Sequence, residues 1–145
     1  YTGRRFGLEP LAMTWDDFWL VIKRRRVRLK PFLMHQQAIA GIGNIYANEI
    51  LFRAGLHPHK RTHRVSMLRG RELYRQIQAV LTEAIEDGGS SIRDFLAPDG
   101  TPGRYAMRHL VYDQGAQPCP ARCGGLIRVL KGERTSFYCP RCQRV

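Results

Sequence analysis

Residues 119 to 145 contain Cys119-Pro120-Ala121-Arg122-Cys123, then fifteen residues, then Cys139-Pro140-Arg141-Cys142, and these are the four cysteines of the chain. Two close pairs joined by a hairpin-sized segment have the spacing of a four-thiolate zinc site. Tetrahedral zinc takes four deprotonated ligands at about 2.3 Å, and such pairs converge on one ion without straining the backbone. Four protein ligands leave no open position for a catalytic water, so one structural Zn2+ held by Cys119, Cys123, Cys139 and Cys142 is the expectation. Two disulfides are the competing reading, but bridges within each pair constrain little and nothing else in the chain suggests secretion. A dithiol redox site fits less well, because both pairs lie in a Gly/Arg-rich tail rather than beside a strand-helix unit.

Between the pairs, Leu126 to Leu130 and Thr135 to Tyr138 read as hairpin strands turning at Lys131-Gly132-Glu133-Arg134. A lobe this small buries too little to fold alone, so metal binding and folding should be coupled. Arg122, Arg128, Lys131, Arg134, Arg141 and Arg144 make it very basic. Solubility accounts for that, and so does an arginine near the hairpin tip that enters a groove or grips backbone phosphates.

The whole chain shares this bias: Lys and Arg number 24 against 12 acidic residues, a net charge of +12. Four thiolates around a divalent ion would reduce it to about +10, still a surface that attracts polyanions, of which nucleic acid is the usual one. In 145 residues, 43% of them hydrophobic, there is material for one helical core and a small metal-held lobe. No apolar run approaches the ~20 residues of a membrane span. With no signal peptide visible, a cytoplasmic, nucleoid-associated setting is expected. The chain opens at Tyr1 without an initiator Met, which suggests a fragment. Residues 1–13, with Gly3, Gly7 and Pro10, read as a linker from a missing amino-terminal domain.

Thr14 offers a helix N-cap, with Asp16 and Asp17 in the first turn and Trp15, Phe18, Trp19 and Ile22 at helical spacing. The two tryptophans fit a core role, with base stacking the alternative. The run from Lys23 to Lys30 is either a solvated face or a source of phosphate contacts. Helical pattern resumes from Pro31 and is broken at Gly41 and Gly43, where Asn44 can cap a second helix burying Ile45, Ile50 or Leu51, and Phe52 before Gly55. A glycine-permitted turn opening into a helix presents unpaired N–H groups at the positive end of the dipole and can hold a phosphate; an ordinary corner capped by Asn44 explains the spacing equally well. A long helix capped by Ser66 should bury Leu73, Ile77, Val80, Leu81, Ala84 and Ile85. Beyond Gly88-Gly89, residues 90–104 are rich in turn formers, and residues 105–112 read as a short extended return to the finger.

The collinear order of Glu9-Pro10-Leu11, Lys30-Pro31, Gly41-Ile42-Gly43-Asn44-Ile45-Tyr46-Ala47-Asn48-Glu49, Gly88-Gly89-Ser90-Ser91-Ile92-Arg93-Asp94-Phe95, Asp99-Gly100-Thr101-Pro102-Gly103, Val111-Tyr112 and the cysteine hairpin with Arg134-Thr135 resembles the carboxy-terminal half of formamidopyrimidine-DNA glycosylase across essentially the whole chain. The resemblance implies a mainly α helix–two-turn–helix DNA-binding domain (14–112) followed by a small β-hairpin zinc finger (113–145). It implies a monomer acting on double-stranded DNA that contains oxidised bases or abasic sites, excising oxidised purines such as 8-oxoguanine and formamidopyrimidines and cleaving at the abasic site. By the same resemblance Lys30, Gly43 and Asn44 hold phosphates flanking the extruded lesion, and Arg134 is the finger arginine. Ser90, Ser91, Arg104 and Tyr105 belong to a loop over about 89–105 that closes on the flipped base; flipping costs a few kcal/mol, which charge-assisted phosphate contacts offset.

In that family the nucleophile is an amino-terminal proline with an adjacent glutamate. This chain begins Tyr1-Thr2, so the fragment is expected to bind without catalysing, with no catalytic residue of its own. Two positions depart from the family pattern: three residues rather than two separate Cys119 from Cys123, and His35 stands where an acidic residue is common. Endonuclease VIII, the pyrimidine-lesion relative, shares both elements, although the length of the 90–105 loop favours the purine branch. Non-enzymatic readings are a zinc-dependent nucleic-acid-binding module or a basic ribosome-associated zinc protein, the second leaving the Gly41–Glu49 turn unexplained.

Overall fold

The computed structural model describes residues 8–36, 38–39, 41–86, 109–132 and 134–145. Thr14 opens α1 (Trp15–Arg24) as expected: its Oγ1 accepts the Asp17 N–H at 3.1 Å, with Asp16 and Asp17 in the first turn and Lys23 and Arg24 in the last, matching the helix dipole. Phe18 and Ile22 are buried. Trp15 and Trp19, one turn apart, stack on each other at 5.2 Å and cover the edge of the core beside Tyr74.

The second helix, α2 (Leu29–Met34), begins two residues before Pro31. Pro31 is therefore its third residue, a first-turn position whose N–H would have had no intrahelical acceptor. The basic run thus ends inside the protein, with Leu29 and Lys30 both buried. Gly41, at φ +86°, turns the chain toward α3 (Asn44–Ala54). The cap of α3 is Gly43 in extended conformation, not Asn44, which is the first helical residue and whose side chain is used elsewhere. Gly55, left-handed at φ +71°, closes α3 by donating its N–H to the Leu51 and Phe52 carbonyls. Ile50 and Leu51 are buried in the helical core, Ile45 is half-buried, and Phe52 points instead into the finger lobe.

After a 3-10 turn (Thr62–Arg64), α4 (Met67–Glu86) starts with Ser66 Oγ accepting the Arg69 N–H at 3.2 Å. Leu73, Ile77, Val80 and Ala84 are buried as the periodicity predicts. Ile85 is not: it is 66% exposed. At 3.6 residues per turn it lies about 120° round the helix from Leu73, off the face that meets the core. α4 packs on α3, and Arg53 and Glu83 join them through paired bonds of 2.8 and 3.0 Å.

The finger contains β1 (Arg128–Leu130) and β2 (Ser136–Tyr138), antiparallel with Val129 opposite Phe137. These strands are shorter than expected; Leu126 bridges Pro118 instead. The described part of the return segment, residues 109–112, is bends and turns rather than extended chain. The cause is Glu49 of α3, 1% exposed, whose carboxylate accepts three backbone N–H groups: Leu110 at 2.8 Å, Val111 at 3.0 Å and Tyr112 at 2.8 Å. Convergence of three amides on one carboxylate curls the backbone round it. A second small core forms there from Val111, Ile127 and Phe137, with Phe52 inserted from α3.

Replacing Glu49 by Gln keeps the shape but turns one acceptor into a donor facing N–H groups and removes the charge that strengthens the other bonds. The expected cost is about 2–3 kcal/mol of stability. Urea unfolding monitored by fluorescence measures it, and an unchanged midpoint would contradict the role given to Glu49.

Candidate nucleic-acid interface and metal centre

The helical lobe and the finger meet through buried polar side chains. Lys30 Nζ donates to the Ser136 hydroxyl at 2.7 Å, the Thr135 carbonyl at 2.9 Å and the Arg134 carbonyl at 3.3 Å. Asn44 Nδ2 donates to the same Thr135 carbonyl at 3.1 Å. Asn48 Oδ1 accepts the Phe137 N–H at 2.7 Å, and its Nδ2 donates to the Asn44 carbonyl at 2.8 Å. At the far end, Gln143 Oε1 accepts the Cys139 N–H and its Nε2 donates to the Leu56 carbonyl, both at 2.9 Å.

Burial first, and then the Arg134 guanidinium, pull the Lys30 ammonium down to about 8. This is the reverse of a salt-bridged lysine. Its charge works against folding below pH 8, and the penalty is relieved as pH rises from about 8 toward its ordinary value of 10.5. Three oxygen acceptors make the buried ammonium tolerable.

All four cysteines are free thiols whose sulfurs lie within 4.8 Å of one another, a set fit to hold a metal ion. Contacts run across the pairs, Cys119 to Cys142 at 3.7 Å and Cys123 to Cys139 at 3.4 Å, and none of the four is in a disulfide. The additional residue in the first pair is absorbed by Arg122, which adopts a left-handed φ of +60°. Desolvation pushes the Cys119 and Cys142 thiols up, whereas Cys123 is lowered to about 7 by the Gly125 N–H and then by Cys139.

Beside the joint, a groove of about 510 Å³ runs between α2 and the hairpin. Arg28, Lys30, His59, Lys131 and Arg134 bring positive charge to it, with Pro31, Met34 and Leu130 as apolar lining. Desolvation and then the cations Arg28, Arg61 and Lys30 lower the pKa of His59. Of the residues expected to touch DNA, Lys30 and Arg134 line this groove, and Asn44 meets Lys30 at the Thr135 carbonyl. Gly43 is exposed with an ordinary φ of −97°, and a Cβ there would meet nothing within 4 Å. Ser90, Ser91, Arg104 and Tyr105, with the whole 89–105 loop, lie outside the described residues. His35 is exposed at the end of α2 and belongs to no ligand cluster among the described residues.

Sequence reading missed the joint itself. Asn48 and Glu49 lie within the Gly41–Glu49 turn motif and Gln143 beside the last cysteine, but polar residues on a helix carry no periodic signal of burial. Arg28 and Lys131 were visible only as members of basic runs, and His59 had no signal at all.

Comparison with known proteins follows the same outline. The family model of the formamidopyrimidine-DNA glycosylase H2TH domain matches residues 6–96. The chain is similar to formamidopyrimidine-DNA glycosylases of Histophilus somni, 46% identical over 143 residues, and Solibacter usitatus, 45% identical over 140. Each match covers 97% of this chain and 53% of the relative, so the chain spans about half the length of the curated relatives it matches. Among solved structures, the MutM (Fpg) protein of Thermus thermophilus superimposes with a TM-score of 0.86 at 40% identity, covering 96% of this chain and 54% of that one. The Lactococcus lactis Fpg in complex with abasic-site DNA gives 0.87 at 32% identity, covering 98% and 53%. Among the described residues, no helix is long and apolar enough to cross a membrane.

Withholding metal ions with a chelator, or replacing Cys139 by Ser, should dissolve the β1/β2 hairpin while most helical circular dichroism persists, because the helical core is separate. Amide NMR shifts of residues 126–143 report this, and a hairpin unchanged by both treatments would contradict metal-coupled folding.

Proposed function

The chain belongs to the formamidopyrimidine-DNA glycosylase H2TH-domain family, and from that premise we propose that it is the damaged-DNA-binding part of a base-excision-repair glycosylase and abasic-site lyase. The observation that carries this reading is the meeting of Lys30, Asn44 and Arg134 at one stretch of the finger, residues 134–136, beside a basic groove. Phosphates flanking an extruded nucleotide need cations and N–H donors held rigidly together, and charge-assisted bonds of that kind offset the cost of unstacking a base. Arg134 supplies an exposed guanidinium whose own carbonyl is anchored by Lys30. Gly43 leaves open space before the first turn of α3, where a phosphate can approach backbone N–H groups at the positive end of the helix. Lys30, with its three donors engaged, serves the groove by its field and by fixing the hairpin.

The cysteine cluster, in this reading, holds one structural Zn2+. Four thiolates are the soft donor set zinc takes in closed sites, and a tetrahedron with 2.3 Å bonds has edges of about 3.8 Å, close to the observed sulfur separations. Bound there, the ion supplies fold and no chemistry. The layout is a linker over 1–13, the helix–two-turn–helix domain over 14–112 with a lesion-capping loop near 89–105, and the finger over 113–145. Duplex DNA with abasic sites or oxidised purines is the partner, by likeness to structures whose DNA holds such lesions, including Fapy-dG and 8-oxo-G. Excision and strand cleavage are proposed for the whole protein; the residues named above bind and position.

A titration of the zinc-loaded protein against matched duplexes, one with a stable abasic analogue and one intact, tests the reading. Preference for the abasic duplex is expected, with Arg134→Ala weakening it about tenfold or more at unchanged thermal stability. Equal affinity for both duplexes, or no effect of Arg134→Ala, would overturn it.

A further inference from the structure

Two basic stretches far apart in sequence lie side by side on the flank of the groove. The Thr62 N–H donates to the Val27 carbonyl at 2.8 Å, and the Leu29 N–H to the Lys60 carbonyl at 2.8 Å. The fully buried Thr62 hydroxyl donates to the Arg25 carbonyl at 2.6 Å and accepts the Val27 N–H at 3.3 Å. Lys23 Nζ adds a bond to the His63 carbonyl at 3.0 Å. The backbone is thus a clamp that fixes the charges of residues 23–28 against those of residues 59–64.

Neither stretch contains an acidic residue, and neither of the two ion pairs among the described residues reaches them. A cavity of about 860 Å³ opens there, lined by Arg28, Lys60, Arg61 and Arg64 with His59 and His63. Arg28 and His59 line both this cavity and the groove beside Lys30 and Arg134, so the two adjoin. Fixed like charges of this density repel one another unless a polyanion neutralises them. A merely soluble surface has no need of a buried threonine to hold its cations together.

We propose that the edge formed by residues 23–28 and 59–64 is a second phosphate-binding surface, gripping the backbone of the same DNA duplex beyond the segment held at the Lys30–Arg134 groove. It reads no bases. Its contribution is affinity, register along the duplex and salt dependence, each neutralised phosphate adding about 0.9 to the salt slope. The inference rests on the DNA-binding reading above, but its observable is a dependence on duplex length, whereas that reading stands or falls on abasic preference.

The test compares wild type with Lys60→Glu/Arg64→Glu and the neutral Lys60→Gln/Arg64→Gln. The bonds that build the clamp use the backbone of Lys60 but neither its side chain nor any part of Arg64. Each protein, zinc-loaded and checked by thermal melting, is titrated with abasic duplexes of about 10 and about 30 base pairs, roughly one and three helical turns. Both variants should bind the long duplex at least fivefold more weakly, with a salt slope smaller by about 2, and the short duplex within twofold of wild type. Unchanged affinity and slope on the long duplex would overturn the proposal. So would equal losses on both lengths, which would place these residues within the lesion groove, or a single-stranded RNA of equal length competing as well as the duplex.

Discussion

The carbonyl of Thr135 is the point on which the two lobes depend. Lys30, Asn44 and, more distantly, Asn48 all direct a donor at it, from α2 and α3, while Asn48 takes the Phe137 N–H in return. A strand end buried against a helix has backbone groups that water cannot reach, so side chains must satisfy them or the contact fails. Glu49 and Gln143 repeat the solution at the return segment and at the last cysteine pair. The outcome is a finger set on the helical lobe by polar bonds, with Phe52 and the His57–Tyr138 ring contact at 4.6 Å adding to the joint.

That arrangement decides where charge is found. A lysine at the end of a basic run would ordinarily point into water; here it is 5% exposed and depressed in pKa because the hairpin closes over it. Its positive field remains, now facing the groove from inside, while Arg134 carries the accessible charge just outside. The cysteine cluster is joined to the groove through only a few residues, from Cys139 through β2 to the chain that carries Arg134. The four cysteines therefore bear on the geometry of the groove through the strand that follows the two carbonyls, of Arg134 and Thr135, that Lys30 and Asn44 hold.

Much of the fold was legible in one dimension. Thr14, Ser66 and Gly55 announce helix ends through capping chemistry that acts within a turn, and the stripe from Leu73 to Ala84 announces a buried face. Ile85 extends that stripe in sequence but is exposed, because a stripe widens with each added residue while the buried face does not. Asparagine before a helix is usually its cap, but a side-chain contact to Thr135, ninety-one residues away in sequence, claims the Asn44 amide. The segment from 109 to 112 looked extended because no local feature reveals a carboxylate from another helix.

The sequence by itself determined the four-thiolate cluster, the helical lobe with its caps, the strong positive charge and the family resemblance, since spacing, periodicity and composition are properties of the chain. Only the tertiary structure decided that Lys30 is buried, that Asn44, Asn48 and Glu49 face the finger, and that residues 23–28 and 59–64 form one edge. The physical reason is that these outcomes depend on pairing of polar groups between elements distant in sequence, and such pairing is settled by packing geometry that no local preference encodes.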